Sequence, residues 1–159
     1  MTEQIKELKR QIDQTATAHY PQTQLLEQIG GVGSVTSLSF VLAIGDPHRF
    51  KDPRNVGTYL GLVPRRDQSG GSDKELPISK AGNREVRRLL VQCAQYILGN
   101  FGPDCDLRRY GLNLASRRGR TAKRKAVIAV ARKLAVLMLM LWQNGEGYDP
   151  HRNSTRQAA

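Results

Sequence analysis

Three serines, Ser69, Ser72 and Ser79, stand in a polar stretch, RRDQSGGSDKELPISKAGN, that runs from Arg65 to Asn83. Arg65, Arg66, Lys74 and Lys80 accompany them. A serine hydroxyl that attacks a phosphodiester needs an unobstructed approach and nearby cations to neutralise the pentavalent transition state. Gly70-Gly71 beside Ser69 supplies close backbone access. Composition alone favours a mobile linker over a reactive loop, since structureless stretches of this length are either functional or disordered. No Ser–His–Asp set is evident, because His19, His48 and His151 are scattered.

A second candidate is the run IGGVGS, Ile29 to Ser34, followed at once by the apolar Val35, Leu38, Phe40, Val41 and Leu42. Glycines at a helix start carry a backbone-entropy cost. The pattern is that of a helix-hairpin-helix turn. Val32 packs between two helices, while Gly31 and Gly33 let amide N–H groups face outward. Those amides and the positive end of the second helix suit a phosphate oxygen, a contact that reads backbone rather than sequence. A tight turn between helices with no ligand has the same pattern.

Charge is the third signal. Between Lys80 and Lys133 stand fourteen basic residues: Lys80, Arg84, Arg87, Arg88, Arg108, Arg109, Arg117, Arg118, Arg120, Lys123, Arg124, Lys125, Arg132 and Lys133. Only Glu85, Asp104 and Asp106 oppose them, so this third of the chain carries an excess of eleven, equal to the net charge of the whole. Arg84, Arg87 and Arg88 share one helical face, and RRGRTAKRK forms a second block. Six phosphate contacts would give log K a slope of about −5 against log salt. A solvated charged surface is the plain alternative. A sequence pI near 10.2 implies a polyanionic partner, and no membrane is expected.

Metal chemistry finds no template here. Cys93 and Cys105 match no ligand spacing, and Asp104 and Asp106 read as turn and N-cap residues. The thiols are expected to be reduced, with Cys93 in the core, in a cytoplasmic protein. The opening TEQIKELKRQ has no apolar signal region.

The elements that must position these groups follow from periodicity. Glu3 to about Thr17 carries a narrow stripe of Ile5, Leu8 and Ile12. Short helices are expected over Leu25–Ile29, Val35–Ile44 and Asn55–Leu62. A helix over Arg84–Leu98, capped by Asn83, buries Val86, Leu89, Leu90, Cys93 and Ile97. Asp106–Leu114 and Ala122–Gln143 follow, the last stopped by Asn144-Gly145. The stretch Ala126–Trp142 is apolar but interrupted by Arg132 and Lys133, which makes it a core helix rather than a membrane span. No strand is expected. With 159 residues and 39% hydrophobic composition, the expectation is one compact all-α domain over residues 25–144, containing the helix-hairpin-helix. An amphipathic helix over 1–20 precedes it and a frayed polar tail over 145–159 follows.

These blocks, in order, resemble a known family: IGGVGSVTSLSFVLAIGDPHRFKDPRNVGTYLGLVP, then SGG, then ISKAGNREVRRLLV, then AVIAVARKLA. The series is similar to the C-terminal domain of the DEDD-type insertion-sequence transposases, the IS one-ten group, kin to the Piv DNA invertase. The resemblance implies DNA recombination by two parts. One is an N-terminal RuvC-like domain whose acidic residues hold a divalent metal. The other is this C-terminal domain, which brings a nucleophilic serine and DNA contacts; some members are guided by a noncoding RNA. Carried over, the serine of the SGG block is Ser69, with Ser79 in ISK as runner-up. Lys80, Arg84, Arg87, Arg88 and the block Arg117, Arg118, Arg120, Lys123, Arg124 and Lys125 become DNA-binding candidates with Gly31, Val32 and Gly33. The acidic domain is not among these residues, so the chain is expected to be a fragment, a decayed element or an excised domain, with the first helix the end of a connecting coiled coil. Alone it would not recombine DNA and would hold no cofactor. Homo-oligomers remain open. So do a non-enzymatic helix-hairpin-helix module for DNA or structured RNA, and an α-helical interaction module whose binding ignores salt.

Overall fold

The computed structural model of the protein describes residues 2–69 and 71–154, with 67–69 and 72–75 described by their backbone alone. The chain forms seven α-helices and one hairpin among these residues, in the order α1 (Glu3–His19), α2 (Thr23–Glu27), α3 (Ser34–Ile44), α4 (Asn55–Tyr59), β1 (Pro64–Ser69), β2 (Ser72–Ile78), α5 (Arg84–Leu98), α6 (Asp106–Ala115) and α7 (Ala122–Asn144). The result is a mostly helical domain.

Helix α7 is its axis. Ala126, Val130, Ala131, Leu134, Ala135, Met138, Leu139 and Leu141 are buried along it, and α2, α4, α5 and α6 all pack against it. By length and composition α7 could cross a membrane; here its apolar positions form the centre of the core. It ends where Gly145 takes the left-handed conformation at φ +63° and returns its amide to Leu141, a glycine C-cap.

Helix α5 starts as its sequence dictates, with the Asn83 carboxamide oxygen accepting from the Val86 amide at 3.0 Å. Its buried face is Val86, Leu90, Cys93, Ala94 and Ile97; Leu89 lies at the edge of that face, half-buried. At its far end the Arg108 guanidinium donates to the carbonyls of Ile97 and Gly99. Burial pushes the Cys93 thiol above its usual pKa. The α2–α3 turn is closed by Ile29 and Val32, both buried, and by the Ser37 hydroxyl, which donates to the Glu27 carboxylate at 2.9 Å.

Residues 65–83, expected to be irregular, instead contain an antiparallel hairpin. Arg66 pairs with Glu75, Asp67 with Lys74, Gln68 with Asp73 and Ser69 with Ser72. Ser69 and Ser72 leave two residues for the turn. Gly71, at φ +88°, meets the positive φ that such turns demand; Gly70 lies outside the described residues. The register slips by one between Pro64 and Arg66, which places an extra residue in β2 near Leu76-Pro77, where a missing amide donor is tolerated. The strands pack chiefly on each other and not on the helices. Among the described side chains Pro64, Leu76 and Ile78 are half-buried and none is fully buried, and the apolar alternation that announces a strand is absent from the sequence.

Helix α1 leans on α2 and α3, with Ala16 as its one buried residue and Ile5 and Leu8 exposed. At the other terminus, residues 148–154, expected to fray, make specific contacts. The Tyr148 amide donates to the Gln28 side chain at 2.8 Å. The Asn153 amide and Ser154 hydroxyl donate to the Asp106 carboxylate at 2.8 and 2.6 Å. The remainder of that expected tail, 155–159, lies outside the described residues.

Candidate nucleic-acid interface

At the root of the hairpin the chain folds tightly on itself. Gly61, at φ +72°, lies against the Ala81 backbone, and Gly82, at φ +79°, lies against the Tyr59 carbonyl; a Cβ at either would collide with main chain. The Ser79 amide donates to the Val63 carbonyl at 3.0 Å, and the Lys80 amide to Gly61 at 3.1 Å. Lys80 is the one non-glycine residue with positive φ, +56°, among those described. That left-handed conformation costs a lysine about 1–2 kcal/mol, and the two glycine contacts enforce it. The aliphatic stem of Arg132 fills the space over Gly57 beside Val63, so this arginine of α7 reaches the same junction.

The two candidate serines are set far apart by this geometry. Ser69 is the last residue of β1, at the hairpin tip, with a side chain outside the description. Ser79 sits at the root, some seven residues along the ladder from Ser72, or roughly 20 Å at about 3.3 Å per residue. The Ser79 hydroxyl is also engaged, accepting from the Ala81 amide at 3.4 Å.

The cations fall into two groups. Several are committed to the fold. Arg87 donates to the carbonyls of Leu60 and Ala81, Arg108 caps α5, and Arg109, besides its exposed pair with Asp104 at 2.8 Å, donates to the Ser154 hydroxyl at 3.0 Å across to the C-terminal segment. Lys133 lies 3.8 Å over the Tyr110 ring. Arg109 holds the Asp104 carboxyl below the usual carboxylate range. Others are exposed and unengaged by any described residue: Lys80, Arg84, Arg117, Arg118, Arg120, Lys123 and Arg124. Lys125 is exposed but engaged. Arg88 pairs with Glu85 at 2.9 Å, both side chains more than half exposed. A pair that open contributes little, which leaves Arg88 free to turn to another anion.

The glycine turn separates its residues by role. Gly30 abuts Pro103, and Gly31, at φ +94°, abuts the Tyr96 ring, where a Cβ would lie 2.7 Å from Cδ1. Gly33 is different: φ is −101°, and nothing lies within 4 Å of a Cβ placed there. It is the N-cap of α3 and offers no side chain to the first-turn amides. Neither packing nor conformation demands glycine at this position.

Tyr96 and Arg84 also set a distance. Helix α5 carries the glycine turn near Tyr96 and the arginines at its start, twelve residues apart, or roughly 18 Å at about 1.5 Å per residue. The turn and the arginine face are therefore not one pocket. A third cationic segment, 48–54, was not among the candidates. Arg49 lies 4.8 Å over Tyr59 and 5.5 Å over Phe50, the two rings meeting edge-on at 5.4 Å. The run HRFKDPR, with Arg49, Lys51 and Arg54, was its signal in the sequence. Among the described residues no three His, Cys, Asp or Glu side chains come together as metal ligands.

A mostly helical body, a polar hairpin held at its root and an exposed cationic surface define the class of domain. The family model for transposases of the IS116/IS110/IS902 family matches residues 23–111, and the chain belongs to that family. The chain is 36% identical over 126 residues to a transposase for insertion sequence element IS1111A of Coxiella burnetii, covering 79% of this chain and 34% of the relative. A transposase for insertion sequence element IS1328 of Yersinia enterocolitica is 37% identical over 95 residues, covering 60% and 28%. The pilin gene-inverting protein of Moraxella bovis is 30% identical over 126 residues, covering 79% and 38%. The chain thus spans about a third of the length of these curated relatives.

Proposed function

We propose that this chain is the DNA-engaging, serine-bearing part of an insertion-sequence transposase. The observation that carries the reading is the hairpin, whose tip residue Ser69 lies at the far end of a ladder closed at its root by Gly61, Gly82 and the Ser79 and Lys80 amides. In this reading Arg84, Arg88 and the exposed block from Arg117 to Arg124 bind backbone phosphates. The glycine turn acts as a helix-hairpin-helix, with the uncapped amides around Gly33 on a phosphate oxygen. Arg87 contributes by fixing the hairpin root rather than by touching DNA.

Ser69 is the nucleophile. Its oxygen bonds to phosphorus as the bond from phosphorus to the leaving strand's oxygen breaks, and the serine proton passes to a base or solvent. A divalent metal would be held by an acidic, RuvC-like partner domain and would supply charge neutralisation at the phosphate; this chain's part is to present the Ser69 hydroxyl and the cations that hold the DNA. Ser79 is disfavoured as nucleophile because its hydroxyl belongs to the turn at the root.

The test is strand exchange by the full-length transposase. Ser69→Ala should abolish exchange and the covalent phosphoserine adduct with nicked DNA, while Ser79→Ala should retain both. Wild-type exchange by Ser69→Ala with loss in Ser79→Ala would reverse the assignment. A domain that binds DNA but never forms the adduct would be a non-enzymatic module.

A further inference from the structure

Phe101 is the most exposed large apolar residue among those described, at 89%. It stands in the turn between α5 and α6, which is held by hydrogen bonds and close packing on both flanks. The Gly102 amide donates to Gly99 at 3.1 Å. The Arg108 guanidinium holds the carbonyls of Ile97 and Gly99 from the other side. Gly102 is pressed so close to the Ile97 carbonyl that it admits no side chain, and Pro103 abuts Gly30. An exposed phenyl ring on a mobile loop would be unremarkable. This one is clamped at both flanks and fastened to the glycine turn.

The surroundings indicate what it meets. Tyr96, 48% exposed, lies with its ring over Gly31 on the same turn. Val35, in the first turn of α3, is 42% exposed. The nearest acids are occupied: Asp104 pairs with Arg109, and Asp106 accepts from Asn153 and Ser154. The turn that carries Phe101 meets the glycine turn through Pro103 and Gly30, on a chain of net charge +11. A flat, solvent-facing apolar ring on a strongly cationic chain matches a nucleotide whose base has left its stack, the phosphates meeting the cations and the base the ring.

We propose that Phe101 is a stacking platform for an unpaired nucleobase at a nick, branch or melted step in the DNA. The site rests on the DNA-binding reading above. It adds a preference for distorted over regular duplex, which phosphate contacts alone do not provide, since they are the same along any duplex.

The experiment compares two oligonucleotides of equal length and charge, one fully paired and one with a single unpaired 2-aminopurine at a three-way branch. Affinity is read by anisotropy and stacking by quenching of the 2-aminopurine. The wild-type chain is expected to prefer the branch about tenfold, within the range of base–aromatic stacking, and to quench the probe. Phe101→Ala should lose preference and quenching while keeping paired-duplex affinity and thermal stability; Phe101→Trp should restore both. Equal preference in wild type and Phe101→Ala would overturn the platform while leaving DNA binding intact. Failure of the wild type to bind either oligonucleotide would overturn the DNA reading itself. A Phe101→Ala variant that changes only its sedimentation would assign the ring to a protein contact and overturn the platform.

Discussion

Arg87 ties the helical body to the hairpin through Leu60: its Nη1 donates to the Leu60 carbonyl at 3.1 Å and to the Ala81 carbonyl at 2.9 Å. One guanidinium therefore spans the two chain segments that enter and leave the hairpin. Replacing it leaves two carbonyls without their charged donor, a loss of about 1–3 kcal/mol. For a chain of this size that corresponds to roughly 3–10 °C in Tm. Arg87→Ala is expected to show that drop by calorimetry. Arg84→Ala, whose side chain touches nothing described, should leave Tm unchanged and weaken DNA binding. Equal Tm for the two variants would contradict the division of roles.

The glycine turn yields a contrast of the same kind. Gly31→Ala must place a Cβ at φ +94° and 2.7 Å from the Tyr96 ring, so it should destabilise the chain by about 1–2 kcal/mol from conformation alone. Gly33→Ala meets no atom within 4 Å and should melt with the wild type. If the amides at Gly33 receive a phosphate, Gly33→Ala should nevertheless bind duplex DNA several-fold more weakly. Unaltered affinity would remove the turn from the interface.

The exposed block is tested by salt. Each phosphate contact contributes about −0.9 to the slope of log K against log salt. Arg118→Gln and Arg124→Gln should each flatten that slope by about one unit and weaken binding evenly across sequences. Arg109→Gln should leave the slope alone and act on stability, since Arg109 is committed to Asp104 and Ser154. A salt-independent affinity would assign the chain to protein rather than nucleic acid.

The 148–154 segment should respond to pH at both ends. Burial acts to raise the Asp106 pKa, but the Ser154 hydroxyl and the Asn153 amide outweigh it and hold the carboxyl below its ordinary range. A depressed folded value contributes stability above the unfolded pKa and loses it as pH falls through the folded one. At the alkaline end, burial first and the Cys105 thiol second push the Tyr148 phenol above the ordinary tyrosine value. That contribution is full below the unfolded value and is lost as pH rises through the folded one. Limited proteolysis of 146–154 should therefore accelerate below about pH 4 and above about pH 10, near the reference values. Asp106→Asn should remove the acid edge alone.

Much of the helical frame was legible because its signals are local. Asn83 and Asn144-Gly145 mark the start of α5 and the end of α7 through short-range hydrogen bonds, and the 3.6-residue spacing of Val86, Leu90, Cys93 and Ile97 declares a buried face. The hairpin was not legible, because its sequence shows no apolar alternation and is rich in Asp, Gln, Ser and Lys, which suit strands poorly. Gly70-Gly71 between two runs of similar length was the available signal. Arg87 was grouped with Arg84 and Arg88 because spacing reports a shared helical face, whereas the carbonyls that claim it come from Leu60 and Ala81. Nor could the spacing along α5 reveal that Arg84 and the Gly31 turn stand at opposite ends of one rod until Tyr96 was seen against Gly31.

Gly61 and Gly82 give the hairpin the mechanics of a bracket bolted at one end. Below the bolts any change is felt by the core, since backbone there presses on backbone with no slack. Beyond them β1 and β2 pair chiefly with each other. A change at the tip is therefore expected to leave Tm nearly constant, whereas a single methyl group added at Gly61 or Gly82 would re-aim the whole arm.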